Sequence, residues 1–141
     1  MLTGKCHCGR VRYEIAGPVR PVVECHCESC RRITGSLWHA TGARLADVTI
    51  SDAQQALNWY RSSEHVARGF CGNCGSTMFF QRDGAETITI TAGSLDQPTG
   101  LHLKMRIFTD DMADYAADSS GDGIPQHTGM PEMHHFAIPE E

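Results

Sequence analysis

Seven cysteines fall into three tight groups along the chain: Cys6 and Cys8; Cys25, Cys27 and Cys30; Cys71 and Cys74. An odd number cannot close entirely into internal disulfides. The opening stretch, MLTGKCHCGR, also lacks the apolar core of a secretory signal. A reducing, cytoplasmic setting and thiolate chemistry are therefore expected. With 141 residues the chain is one domain's worth. We divide it into a motif-bearing body of about residues 1–108 and an irregular C-terminal segment, 109–141.

Spacing explains how each group could grip a metal. In an extended segment residues i and i+2 share a face, so Cys6 and Cys8 present two sulfurs together while His7 points away. FCGNCGS supplies a C-x-x-C turn whose Gly72, Asn73 and Gly75 tolerate tight backbone angles. Two such pairs make a closed four-thiolate site, the arrangement of structural zinc. In CHCESC, Cys25 and Cys27 share a strand face and Cys30 follows on a short helix. Three ligands without a fourth leave a coordination position for water or substrate. Arg31, Arg32 and the helix start are expected to lower the pKa of these thiols.

The residues alone leave the grouping open, because Cys6 and Cys8 could instead join Cys25 and Cys27, leaving Cys30, Cys71 and Cys74. His7 and His26 also stay open as ligands. For these two and for His39, His65, His102, His127, His134 and His135, a surface or hydrogen-bonded role is the expectation, since none has a ligand-like partner at i+3 to i+5. A redox C-x-x-C normally accompanies a βαβ pattern, and none is visible.

The backbone pattern favours an all-β chain with little helix. VRYEI (11–15) and TITIT (87–91) alternate with period two. Weaker strand patterns cover 19–25, 38–45, 48–50, 57–60, 65–70, 76–80 and 101–108. Glycine and proline punctuate them at short spacing, as in all-β domains. The best helix is Glu28–Thr34, ended by Gly35; Asp52–Leu57 is a weaker one with Asp52 as N-cap. Beyond Thr109 the chain is acidic and Gly/Pro-rich, and Phe136 and Ile138 are expected to pack back onto the body.

Charge narrows the partners. Twelve Lys and Arg against 17 Asp and Glu give a formal net charge of −5, and seven thiolates with two zinc ions would take it to about −8. Such a field disfavours nucleic acid. No apolar run approaches the ~20 residues of a membrane span.

Taken together, GKCHCGRVRYE, ECHCESCRRITGS, YRSS followed by RGFCGNCGSTMFF, and TAGSLDQP followed by His102 resemble the glutathione-dependent formaldehyde-activating enzymes, a family that includes centromere protein V. The matching stretches run from Gly4 to about His102, and all seven cysteines fall on motif positions. The resemblance implies a zinc-supported β-tent fold, shared with a small zinc-binding chaperone of Rab GTPases. It implies two zinc ions per chain: a structural one on Cys6, Cys8, Cys71 and Cys74, and a labile, catalytic one on Cys25, Cys27 and Cys30. The implied reaction adds glutathione to formaldehyde, formally a carbon–sulfur lyase step, so the partners are a small glutathione-like thiol and an aldehyde. One departure stands out, because family members often carry a Pro-Trp pair in the C-terminal segment where this chain reads DDMADY.

Three thiolates cancel the charge of zinc, which makes hydrolysis a poor expectation and an incoming thiol a good one. Arg31 or Arg32 would offset the excess charge or meet a substrate carboxylate. Trp38, Tyr60 and Phe70 are candidates for the pocket wall and Asp96 a weaker one for a general acid or base, although packing is the better default for the aromatics and a β-turn the usual role of such an Asp. A zinc-stapled binding module without catalysis and a thiol redox sensor are the rival functions.

Overall fold

The computed structural model describes residues 1–116 and 121–140. Ten strands run in chain order: β1 (Leu2–Lys5), β2 (Arg12–Ile15), β3 (Val22–Cys25), β4 (Trp38–Arg44), β5 (Val48–Ser51), β6 (Leu57–Ser63), β7 (Val66–Cys71), β8 (Thr77–Arg82), β9 (Thr87–Thr91) and β10 (Leu103–Ile107). A seven-residue helix, α1 (Glu28–Thr34), joins β3 to β4. The all-β expectation holds.

β1, β2 and β5 form a small antiparallel sheet, while the other strands build a seven-stranded sheet in the order β10-β3-β4-β9-β8-β7-β6. All its pairs are antiparallel except β10 with β3. Alternation determines which side chains meet between the sheets. In β2, Tyr13 and Ile15 are buried while Arg12 and Glu14 are exposed; in β9, Ile88 and Ile90 are buried. Ile90 sits opposite Thr41 of β4 and Phe79 of β8, and the Tyr13 and Phe79 rings meet edge-on at 5.4 Å. These side chains, with Val11 and Met78, form the larger core, each burial contributing roughly 1.5–3 kcal/mol.

The opposite face of the large sheet is set by the same parity. Cys25 is paired with Trp38 and with Ile107, and Val23 with Ala40, so all five share a face; together with Cys30 and Met105 they form a second cluster. Glu24 lies between them in sequence and therefore points the other way, toward His39 and Arg106.

Two local features depart from the strand and helix patterns expected above. Leu2–Lys5, assigned no strand from its sequence, pairs along β2. Asp52–Leu57 is a turn rather than a helix: the Asp52 carboxylate accepts from the Ala56 and Leu57 amides at 2.8 and 2.9 Å, a side-chain alternative to helical bonding. α1 itself starts and stops as expected, with Gly35 in the left-handed conformation (φ 85°) donating to the Arg31 carbonyl.

Past β10 the described residues hold only short 3-10 turns and one bridge, Arg106 with Gln126. The segment is nevertheless tied down. The His127 amide donates to the Arg106 carbonyl at 2.9 Å, and the Lys104 ammonium donates to the His135 carbonyl at 2.9 Å. Phe136 packs against the second cluster, as expected. The part of the expected C-terminal segment at 117–120 and 141 lies outside the described residues. No helix among the described residues is long and apolar enough to cross a membrane.

Candidate metal centres and the cavity beside them

The loop between β1 and β2 carries Cys6 and Cys8; Cys71 ends β7 and Cys74 lies in the turn that leads to β8. Their four sulfurs lie within 4.8 Å of one another. Cys6 and Cys8 Sγ are 3.5 Å apart and Cys8 and Cys71 Sγ 3.7 Å. A tetrahedral zinc with bonds of about 2.3 Å separates its sulfurs by about 3.8 Å, so this donor set fits such an ion. The turns are held by main-chain bonds: Gly75 to the Cys71 carbonyl at 2.7 Å, and Gly9 to the Cys6 carbonyl at 3.0 Å. Ser76 bridges the two loops, accepting from the His7 amide at 3.0 Å and meeting Cys74 Sγ at 3.2 Å. That contact to Ser76 holds the Cys74 thiol down to about 5, whereas burial pushes Cys71 up to about 11.

The second group is Cys25 at the end of β3, Cys27 before α1 and Cys30 within it, again with all sulfurs inside 4.8 Å. The alternative grouping of Cys30 with Cys71 and Cys74 is not what the fold brings together. Cys27 is the N-cap of α1, its sulfur accepting from the Cys30 amide at 3.3 Å. Hydrogen bonds from Cys25 and then Cys30 hold Cys27 down to about 2, and the same contact with Cys27 raises Cys25. Cys25 and Cys30 are raised, unlike the lowering of all three thiols expected from the sequence.

The cation beside this triad is neither Arg31 nor Arg32. Arg32 is exposed and pairs with Glu28 at 2.8 Å. Arg31 lines a separate cavity with Glu24, His26 and Arg106, where its Nε is buried with no partner among the described residues. Arg68 of β7 takes the place expected of them. Its guanidinium donates to Cys30 Sγ from Nη2 at 3.5 Å and Nη1 at 3.6 Å, and its charge lowers Cys27. It packs over the adjoining rings of Trp38 and Phe80, with the guanidinium carbon 5.5 and 5.1 Å from their centroids. Sequence reasoning missed Arg68; the one available signal was an arginine inside an otherwise apolar strand, a position that charged residues rarely occupy unpaired.

The triad opens on a cavity of about 360 Å³. Its floor is the sheet face described above, with Trp38 among the wall residues; Tyr60 is exposed, and neither it nor Phe70 lines the cavity. The roof comes from the C-terminal segment, through Met130, Met133, Phe136 and Ile138. The histidines stay out of both thiol groups: His26 and His39 bond Glu24 at 3.1 and 3.2 Å. Asp96 is also elsewhere, accepting from the Thr3 hydroxyl at 2.6 Å.

A sequence model of the family described as glutathione-dependent formaldehyde-activating enzyme matches residues 1–111. The chain belongs to this family. A relative from Halomonas elongata, named "Putative glutathione-dependent formaldehyde-activating enzyme", is 26% identical over 118 residues, covering 74% of this chain and 75% of that one. A crystal structure of a Rhodobacter sphaeroides protein superposes with a TM-score of 0.58 at 25% identity, over 72% of this chain and 99% of that one. The family match stops at 111, so the cavity roof at 130–138 lies beyond it.

Proposed function

We propose that this family member is a zinc-dependent enzyme of the carbon–sulfur lyase type, joining a small thiol to an aldehyde and reversing that addition. The observation that carries the reading is the contrast between the two thiol groups. Four sulfurs close on one another, whereas three lie against a cavity large enough for a small ligand. In this reading Cys6, Cys8, Cys71 and Cys74 hold a structural zinc that ties the small sheet to the β7–β8 turn, giving the β-tent its shape. Cys25, Cys27 and Cys30 hold the second. Zinc bound by three thiolates supplies a soft Lewis acid with one position for an incoming sulfur.

The protein's own groups do the rest. Arg68, packed over two aromatic rings, offsets the negative charge gathered on Cys30 and holds its sulfur by hydrogen bonds. The apolar walls keep out water, which would otherwise compete with the thiol for the aldehyde carbon. In the addition the S–H bond breaks, a C–S bond forms, the carbonyl π bond becomes a hydroxyl, and the proton passes from sulfur to oxygen. Among the described residues no Asp, Glu or His lines the cavity, so no carboxylate or imidazole relays that proton. The body and the C-terminal segment act as one domain, since the cavity takes residues from both.

Cobalt substitution tests the reading. Glutathione or another small thiol is expected to shift the d–d and thiolate charge-transfer bands of the cobalt protein, and to do so no longer in Cys30→Ser. Bands that stay unchanged at saturating concentrations of every thiol tried would overturn it.

A further inference from the structure

The cavity's lining is a poor match for glutathione. That tripeptide carries two carboxylates, an ammonium and two amides, and burying an ammonium requires an acid or several acceptors. Among the described residues the cavity has no Asp, Glu, Asn, Gln or His in its wall. Its charged side chains are Arg20, Arg68 and Arg82, all of one sign, and most of the remaining surface is aliphatic or aromatic.

Arg68 is engaged with Cys30. Arg20 is not engaged with any carboxylate among the described residues, although it is only 6% exposed. Its Nη1 donates to the Ala40 and Pro21 carbonyls at 3.0 and 3.3 Å; its other donors have no protein partner among the described residues. Burial alone acts on it, pulling the guanidinium down to about 10, and no acid raises it again. A buried cation of this kind is costly unless an anion joins it.

The surroundings hold Arg20 ready for such an anion. A Cβ at Gly42 would lie 2.9 Å from Arg20 Nε, so the side chain occupies the slot that this glycine leaves on β4. Phe136 covers it from the roof, with the guanidinium carbon 5.5 Å from the ring centroid. Both the slot and the roof border the same cavity as the thiol triad.

From this we infer that the cavity's ligand is a thiol with an apolar body and a single carboxylate, lacking an ammonium, and that Arg20 is the residue that binds the carboxylate. The inference rests on the thiol–aldehyde reading above and narrows its substrate class away from glutathione.

Calorimetric titration of the zinc-loaded 141-residue protein with 6-mercaptohexanoate, 6-mercaptohexanol and glutathione tests it. The mercaptocarboxylate is expected to bind at least about tenfold more tightly than either other thiol, as a charge-assisted bond to a buried arginine implies. Arg20→Met is expected to abolish the preference over the alcohol. Gly42→Ala, which displaces Arg20 while leaving it present, is expected to reduce it. The rank order of the unaltered protein stands independently of any variant's folding. Glutathione binding as tightly as 6-mercaptohexanoate, or equal affinities for the acid and the alcohol, overturns the inference. Failure of the parent reading looks different: no thiol moves the cobalt bands, yet hexanoate, which has no sulfur, still binds and is lost in Arg20→Met. That outcome removes the thiol chemistry and upholds the carboxylate seat.

Discussion

Arg68 reaches across from β7 to Cys30 on α1, placing two guanidinium nitrogens 3.5 and 3.6 Å from one sulfur. It is the buried positive charge in contact with a group that, once metallated, is formally negative. Replacing it by methionine keeps apolar bulk against Trp38 and Phe80 and removes the charge and its bonds. Arg68→Met is expected to weaken retention of the second zinc by about 10- to 100-fold, the range for losing a partner of a metal ligand. Competition with a chromophoric chelator reads this directly. Retention within about twofold of the unaltered protein would show that the triad's charge is balanced without Arg68.

The two thiol groups are expected to differ in what their loss does to the fold. Native protein should contain two zinc ions per chain and Cys30→Ser one, with the cooperative unfolding transition retained. Cys71→Ser should also lose one ion, and with it the link between the β1–β2 loop and the β7–β8 turn, lowering stability by several kcal/mol. Metal analysis paired with thermal unfolding separates the cases. Equal destabilisation by both variants would contradict the division into a shape-holding and a chemical site.

Alkaline unfolding should expose Tyr13. Burial pushes its phenol up to about 12, against about 10 in an unfolded chain. Between those values the unfolded state has released a proton that the folded state keeps, so stability falls as pH rises from about 10 toward 12 and is unaffected by this group below 10. At pH 11.5 the loss comes to about 2 kcal/mol. Tyr13→Phe gives up the contact with Ser94 Oγ at 2.7 Å but should lack this part of the pH dependence. Denaturant unfolding of both proteins at pH 9 and 11.5 provides the comparison; parallel losses would contradict a raised Tyr13.

Phe136→Ala removes a half-buried ring from the cavity roof. Affinity for 6-mercaptohexanoate is expected to drop by roughly 1–2 kcal/mol, in line with the apolar area lost, while zinc content and the position of the cobalt bands without ligand stay as they were. Altered metal content in this variant would mean that the roof also shapes the triad.

Much of this was legible in the sequence because it is local. Alternation in RYEI and TITIT follows from the two-residue repeat of a strand, and the cysteine spacings follow from the reach of a loop. Gly35 could be placed as the end of α1 because a left-handed residue there is nearly always glycine. What escaped was non-local. Arg68 meets Cys30 only because β7 and α1 border the same face of the large sheet; its apolar strand neighbours hint at burial, but nothing near it in sequence names Cys30 as its partner. Arg31 and Arg32 were assigned to the thiols by proximity along the chain, but a helix turns successive residues by about 100°, which carried one toward Glu24 and the other to solvent. Arg20 gave no signal at all, since its significance depends on Gly42 and Phe136, 22 and 116 positions away.

The roof of the cavity has a consequence for the order of assembly. Chains are made from the N-terminus, so all seven cysteines, the last of them Cys74, have been synthesised before Met130, Met133, Phe136 and Ile138 exist. A nascent chain can thus fold its sheet and present the triad uncovered to any metal it takes up, and the stretch that emerges later then closes over it. Loading and later exchange are different events along this route: the first meets an open bowl, the second a covered one.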